Sequence, residues 1–336
     1  MLFSTFKIMS HRRGIKSHEV IQETLREIEL SEQLGFDHVW LTEHHGSDYG
    51  LSPSPSVLAA AVAMKTRRLG IGFAVNVTPL HHPIRLAEEI ALVDHLSEGR
   101  VIAGFGPGYS PFEFSLYGVD FDHRHAMHKE ILEIVKRAWT QDRFDYDGAG
   151  FQFKDTAISI KPFQKPHPPI VVTANQSESI VEAAQAGHRL LVLGALDAVK
   201  SKVETYRSAL IQTDHPQTQV DLCLKHVGAQ RHVFVSTDPG WNRKTVEAAT
   251  AWQMRIVRWL RSEGERDQEP DQEEISRQIK ERVAAGSPEE VADQISELQT
   301  MGVGEVLCWF KWGEISHDQA VDSMKLFAEH VMPRFW

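Results

Sequence analysis

The sequence predicts an α/β protein folded as a (β/α)₈ barrel, on three observations: eight short apolar runs, an amphipathic stretch after each, and no break in composition along the chain. The runs cover residues 2–8, 38–43, 69–77, 101–106, 170–174, 189–194, 230–236 and 305–310. Segments such as IVVTA and VLCWF are apolar without alternation, as strands are when both faces of a parallel sheet are covered. Strict alternation of strand and helix favours a closed barrel over an open doubly wound sheet. A length of 336 residues suits one such barrel, so residues 1–336 are expected to form a single domain.

Helical spacing fills the intervals. Ile21, Leu25 and Ile28 share a face, as do Met127, Ile131 and Ile134, and Val321, Met324, Ala328 and Val331. Gly35 stands where a glycine ends a helix, Pro83 where a first turn begins, and Ser287-Pro288-Glu289-Glu290 has the residues of a capping box. Two segments interrupt the rhythm. Residues 142–169, rich in Gly, Pro and aromatics, are expected to hold a short hairpin before the fifth strand. Residues 261–286 include EGERDQEPDQEE and are expected to be a surface excursion, either a lid or a disordered segment.

Composition narrows the function. Apolar residues make up 42% and charged residues 24%, ordinary for a soluble globular protein. The formal charge is −10 with no Lys/Arg run, which argues against a nucleic-acid partner. Cys223 and Cys308 form no CxxC pair, so neither a structural zinc site nor a disulfide framework is expected. No segment is apolar over a bilayer's thickness and no leader is evident, which reads as a reduced, cytoplasmic protein.

In this fold the chemistry belongs to loops at the C-terminal ends of the strands. Those ends carry Glu43-His44-His45, the stretch from Asn76 to Pro83 with His81-His82, the stretch from Phe105 to Tyr109, and Asn175-Gln176-Ser177. Most of 18 histidines are ordinary polar residues. His44 and His45 stand out because neighbours at a strand end point opposite ways, one toward the axis and one toward the shell or a partner subunit. Gly104-Phe105-Gly106-Pro107-Gly108 is a poor dinucleotide fingerprint: the third glycine is misplaced and no helix opens directly after it. Its glycines serve either close approach of a flat ligand or a plain turn. Ser177-Glu178-Ser179 opens a helix whose free N–H groups either receive a phosphate or are simply capped.

The stretch SEQLGFDHVWLTEHH, from Ser31 to His45, resembles the second unit of bacterial luciferase and its flavin-monooxygenase relatives. HHPIRLAEEIALVDHLSEGR, GSPEEVADQI and MKLFAEHVMPRF resemble them as well, in register over nearly the whole chain. The resemblance implies a luciferase-like barrel that binds FMN at the strand C-termini, commonly as a homodimer. It implies a monooxygenase that uses reduced FMN and oxygen, through a flavin hydroperoxide, on an aldehyde, a ketone or a biosynthetic or carrier-bound intermediate. A separate flavin reductase would supply the reduced cofactor. Carried over by position, His44 is the active-site acid/base, and Ala74-Val75 with Asn76 forms the third-strand segment under the isoalloxazine, where relatives often have a non-prolyl cis peptide. Ser177, Glu178 and Ser179 match the phosphate-binding helix start. Residues 261–286 match the mobile active-site loop in position.

Two departures stand out. Many relatives have a flavin-phosphate arginine where this chain has Pro107, which leaves Arg100 or the helix start for the task. Gly106 replaces the luciferase cysteine beside the flavin, which argues against light emission. The alternatives are a deazaflavin-dependent dehydrogenase of the same superfamily, a non-catalytic flavin-binding protein, and a metal-dependent barrel hydrolase using His44, His45, His81 and His82. Adjacent histidines converge poorly on one ion, so no metal is expected.

Overall fold

The computed structural model describes residues 1–12, 14–238, 242–261 and 269–336. Eight parallel strands alternate with helices: β1 (Leu2–Lys7), β2 (His38–Leu41), β3 (Gly70–Phe73), β4 (Val101–Gly106), β5 (Ile170–Thr173), β6 (Arg189–Val192), β7 (Gly228–Val235) and β8 (Glu305–Trp309). Each pairs with the next, and β8 returns to β1 from Leu2↔Glu305 to Thr5↔Cys308, so the sheet is a closed barrel. The helices are α1 (Ser17–Gln33), α2 (Pro55–Lys65), α3 (Pro83–Leu96), α4 (Pro111–Tyr117), α5 (Arg124–Thr140) and α6 (Ser177–Gln185). After them come α7 (Leu196–Ile211), α8 (Gln217–Lys225), α9 (Asn242–Arg261), α10 (Gln272–Arg282), α11 (Pro288–Thr300) and α12 (His317–Leu326). Among the described residues no helix is long and apolar enough to cross a membrane.

The local signals do what their chemistry predicts. Gly35, at φ +85°, follows the C-cap of α1; Pro83 is in the first turn of α3; and Ser287 and Glu290 exchange both capping-box hydrogen bonds. Phe144–Asp147 and Gln152–Thr156 form the expected hairpin.

Three expectations need correction. The third run is not one strand: a cis Ala74–Val75 peptide divides Gly70–Phe73 from Asn76–Val77, and the second piece pairs with β4. Residues 261–286 are not simply a surface excursion. Arg261 ends α9, α10 starts from a capping box at Asp271, and Val283–Gly286 is a strand paired with β7 from His232 to Val235; residues 262–268 lie outside the described residues. That strand fills a seam, because β6 reaches β7 only at Gly228 and Ala229. Finally, α1 does not bury a purely apolar stripe. Ile21 and Leu25 are partly buried, whereas Val20, Glu23, Thr24, Glu27, Ile28 and Ser31 are fully so.

The buried polar face of α1 meets cations from the barrel. Lys7 Nζ donates to Glu27 Oε2 at 2.9 Å, Lys311 Nζ to Glu27 Oε1 and Glu23 Oε2 at 2.8 Å each, and Arg12 to Glu23 at 2.6 Å. His317 Nδ1 adds 2.9 Å to Glu27 Oε1. At the opposite end of the barrel, Glu305 Oε1 accepts from Ser4, His38 and Trp40 at 2.6, 2.8 and 2.7 Å. One buried acceptor thus joins β8, β1 and β2. The close approach of β3 and β4 requires Gly104: a Cβ there would lie 1.6 Å from the Phe73 carbonyl oxygen.

Candidate active site

A cavity of about 1340 Å³ opens at the C-terminal ends of the strands. Its apolar wall includes Phe6, Ile8, Val77 and Trp309, and Ala74 and Val75 line it beside them.

His44 lines this cavity and is buried. Its Nδ1 lies 2.9 Å from Glu113 Oε1, and the same oxygen accepts the His45 backbone N–H at 3.0 Å. A carboxylate acceptor at Nδ1 places that ring proton there, so Nε2 is the nitrogen left to exchange a proton, and it has no hydrogen-bond partner among the described residues. The ring sits edge-on to Tyr49, 4.5 Å between centroids, with Tyr109 at 6.1 Å. Burial pushes the Tyr109 hydroxyl well above its ordinary pKa and the Tyr49 hydroxyl up as well, so both phenols stay protonated.

Glu113 comes from α4, which opens only a few residues after Gly108. Ser110 caps that helix by accepting from Glu113 N–H at 3.3 Å. The absence of a helix directly after the glycine run therefore holds only up to Ser110. The Glu113 side chain does not turn back to its cap; it reaches the second strand's end instead.

His45 points away from the cavity, as opposite-facing neighbours should. Its Nε2 lies 2.9 Å from Glu43 Oε1 and its Nδ1 2.9 Å from the Tyr117 hydroxyl. Glu43 also meets His81 Nε2 at 2.9 Å and accepts from Val77 N–H at 2.8 Å. Burial would raise the Glu43 carboxyl, but hydrogen bonds from His45 and His81 hold it below the usual range. Burial works on His81 in the opposite sense, and its bond to Glu43 overrides it, raising the imidazole pKa. His82 stands edge-on to Phe151 and Phe153. The four histidines thus do not converge on one point: His45 and His81 share Glu43, His44 turns to Glu113, and His82 stands against aromatic rings. Among the described residues the one cluster with metal-ligand spacing is Glu23, Glu27 and His317, where Lys7, Arg12 and Lys311 already supply the cations.

The remaining expected residues divide. The Ala74–Val75 cis peptide lies in the cavity wall. Asn76 is buried behind it, its Nδ2 donating to the Gly104 carbonyl at 3.1 Å while Oδ1 has no partner among the described residues. Gly106 is also behind the wall: a Cβ there would meet Val75 and Thr173, each at 2.7 Å. Gly104 and Gly106 therefore serve strand packing; in that run it is Pro107 and Gly108 that reach the cavity. Gln176 and Ser179 line it at the start of α6, while Ser177 and Glu178 are exposed to either side. The first intrahelical bond is Ile180 N–H to Gln176, 3.1 Å, so the N–H groups of residues 177–179 are available. Arg100 cannot stand in for the missing arginine. Its guanidinium is spent on Ala63, Thr66, Leu69 and Ser97 at the N-terminal end of the strands.

One wall was not foreseen. Gln230 and His232 of β7, Gln253 of α9 and Arg282 of α10 all line the cavity. Gln230 Nε2, both His232 ring nitrogens, Gln253 Oε1 and Arg282 Nε are buried without a hydrogen-bond partner among the described residues. His232 packs against Trp309 and Trp312, centroids 4.6 and 5.1 Å away. Burial, then the charge of Arg282, lowers its pKa to about 3, so the ring is neutral.

The family profile described as luciferase-like monooxygenase matches residues 1–305. The uncharacterized protein y4vJ of Sinorhizobium fredii (strain NBRC 101917 / NGR234) is 38% identical over 203 residues, 60% of this chain and 58% of that protein, so this match spans little more than half the relative's length. The oxygenase component of a flavin-dependent trigonelline monooxygenase from Acinetobacter baylyi (strain ATCC 33305 / BD413 / ADP1) is 25% identical, covering 100% of this chain and 96% of its own. The crystal structure of monooxygenase RslO1 from Streptomyces bottropensis superposes over 100% of both chains with a TM-score of 0.89 and 25% identity.

Proposed function

Because the chain belongs to the luciferase-like monooxygenase family, we propose that it is a flavin-dependent monooxygenase that uses reduced FMN and oxygen to oxygenate an organic substrate. The observation that carries this reading is His44, fixed through Nδ1 by Glu113 and presenting Nε2 to a cavity large enough for both a flavin and a substrate. The residues present fit the cofactor. The Ala74–Val75 wall offers a surface for the ring system, and the α6 start offers N–H groups and the Ser179 hydroxyl to a phosphate. Lys202 Nζ, 2.8 Å from Asn175 Oδ1, brings a cation beside that helix start.

Reduced flavin, when bound, supplies the oxygen activation. The chain's own residues do the rest. His44 Nε2 gives or takes a proton at the reacting centre, and Glu113 keeps the ring turned toward it. Phe6, Ile8, Val77 and Trp309 keep water away from the chemistry. A flavin reductase is the proposed partner, a reading supported by the relative named as an oxygenase component.

Anaerobic mixing with photoreduced FMN followed by rapid oxygen addition tests the reading. The expected result is oxidised-flavin absorbance that returns much more slowly than for free flavin. Return at the free-flavin rate, with a deazaflavin bound in preference, would move the protein to hydride transfer. Flavin retained with no oxygen consumed would leave a binding protein.

The homodimer is likewise proposed. The helix α2 is apolar nearly all round, yet Val57 and Met64, seven residues apart, are 71% and 62% exposed. Leu92 and Leu96 of neighbouring α3 are exposed beside them. A helix apolar on every side is ordinarily covered, and a flat face rich in alanine packs well on a copy of itself. Val57→Asp combined with Met64→Lys should convert a dimer to a monomer in sedimentation velocity; an unchanged sedimentation coefficient would place the interface elsewhere.

A further inference from the structure

The chain is acidic overall, with a formal charge of −10, yet one wall of the cavity gathers cations that no carboxylate among the described residues pairs with. Arg282 lines the cavity at the end of α10 and makes no hydrogen bond or ion pair among the described residues, and its Nε is buried. Arg231 stands behind it, 3% exposed; its NH1 donates to the carbonyls of Gly194 and Gln230, and its NH2 has no partner among the described residues. Lys202 bonds only neutral acceptors, Asn175 Oδ1 and the Leu193 carbonyl, each at 2.8 Å. Arg261 lies over the Tyr109 ring at 5.4 Å and has no ion pair among the described residues. Burial first, then repulsion from a neighbouring arginine, lowers the pKa of Arg282, Arg231 and Lys202; Glu281 and Glu297 act on the two arginines in the opposite sense and more weakly.

Beside Arg282 stand other groups without partners. His232 is 94% buried, and its strand register against Val283 fixes it next to Arg282. Its ring is neutral, so one nitrogen donates, and Gln230 Nε2 is a second donor on the same wall. Buried donors and unpaired guanidinium groups are costly to keep unless a ligand satisfies them. The unpartnered acceptors among these wall side chains are Gln253 Oε1 and the second His232 nitrogen, set against the donors of Arg282, Arg231, Gln230 and the first His232 nitrogen. From this wall the apolar surface of Trp309, Phe6 and Ile8 runs toward His44.

We infer that this wall is the substrate-recognition subsite and that the substrate is an organic acid. Its carboxylate seats against Arg282, Gln230 and His232, and its apolar body lies along Trp309 toward His44. The inference rests on the proposed monooxygenase reading for what is done to the acid, and on the wall alone for its binding. The flavin phosphate is the other anion that could use these cations, and the test separates the two.

Calorimetric titration of the FMN-loaded protein with decanoate and with 1-decanol compares an acid and a neutral head on the same apolar body. Decanoate should bind about tenfold tighter or more, the worth of a charge-assisted hydrogen bond. Arg282→Met should erase that preference, with decanol and FMN affinities changed by less than about twofold. His232→Phe, which leaves the guanidinium in place, should weaken decanoate and not decanol, and it keeps the test decisive if the first variant misfolds. Equal wild-type affinities, no binding of decanoate, or full preference retained in both variants would each overturn the inference. So would a loss confined to FMN and absent with riboflavin, which would assign the cations to the flavin phosphate. Failure of the wild-type protein to bind FMN at all would remove the monooxygenase reading, and the same two titrations on the unloaded protein would still decide the acid site.

Discussion

His44→Ala should slow product formation from pre-reduced FMN by about 100-fold or more, the usual worth of a positioned acid/base. Its affinity for FMN should stay within about twofold of wild type, because the phosphate and ring surfaces named above are elsewhere. The comparison is a single-turnover rate on a substrate found by screening, set beside an FMN fluorescence titration. A variant that keeps more than half the wild-type rate would discard His44 as the proton carrier. Glu113→Gln provides the complementary test of positioning. An amide can offer its NH₂ to Nδ1 as readily as its oxygen, so the ring loses its single tautomer and the pH–rate profile should move. A purely structural Glu113 would lower the yield of folded protein and leave that profile where it was.

Glu27→Ala should destabilise the protein by about 3–5 kcal/mol, the cost of breaking a buried ion pair from one side. The reason is asymmetry. Glu27 is the only ion-pair partner of the Lys7 ammonium among the described residues, whereas Lys311 also holds Glu23. The shift in urea midpoint at constant slope measures it, and a loss under about 1 kcal/mol would mean that water reaches Lys7 readily. The same group predicts a pH effect. Burial would raise the Glu27 carboxyl, but Lys7, His317 and Lys311 together hold it far below its ordinary 4.5. A depressed folded-state pKa contributes stability that is complete above the unfolded value and is lost as pH falls toward the folded one. Wild-type stability should therefore fall with acid below about pH 4.5, and the variant should fall less steeply. The slope will not vanish, because Glu305 is depressed by the same balance of burial against hydrogen bonds.

The barrel was legible because its strands are covered on both faces and so read as unbroken apolar runs. The helix ends were legible because capping is local chemistry. What stayed hidden was hidden for identifiable reasons. In α10 the only apolar residues are Ile275 and Ile279 among nine charged and polar ones, and its mean polarity masks a two-residue stripe. In α1 the deepest positions include Glu23 and Glu27, so a search for apolar periodicity finds the shoulder of the buried face and not its centre. One miss was avoidable. Ser110-Pro111-Phe112-Glu113 has the same cap, proline and acid spacing as Ser287-Pro288-Glu289-Glu290, and reading it would have placed α4, and with it the partner of His44. His232, Gln253 and Arg282 had no such signal, because only closure of the barrel brings β7, α9 and α10 to one wall. Arg100 cannot supply the cation missing at Pro107 because it precedes β4 and so stands at the wrong end of the strand for any ligand at the mouth.

The seam between β6 and β7 bears on the shape of the whole vessel. The barrel has eight strands around its base, and Val283–Gly286 makes a ninth at its rim. One added strand lengthens the perimeter by about 4.8 Å and widens the diameter by about 1.5 Å. An eight-stranded cylinder of constant bore is filled by its own side chains. A tapered one stays closed below, where Glu305 draws the staves together, and is open above, where guests enter. The calibre of the opening is thus set by a four-residue stave that the rest of the hoop does not need in order to close.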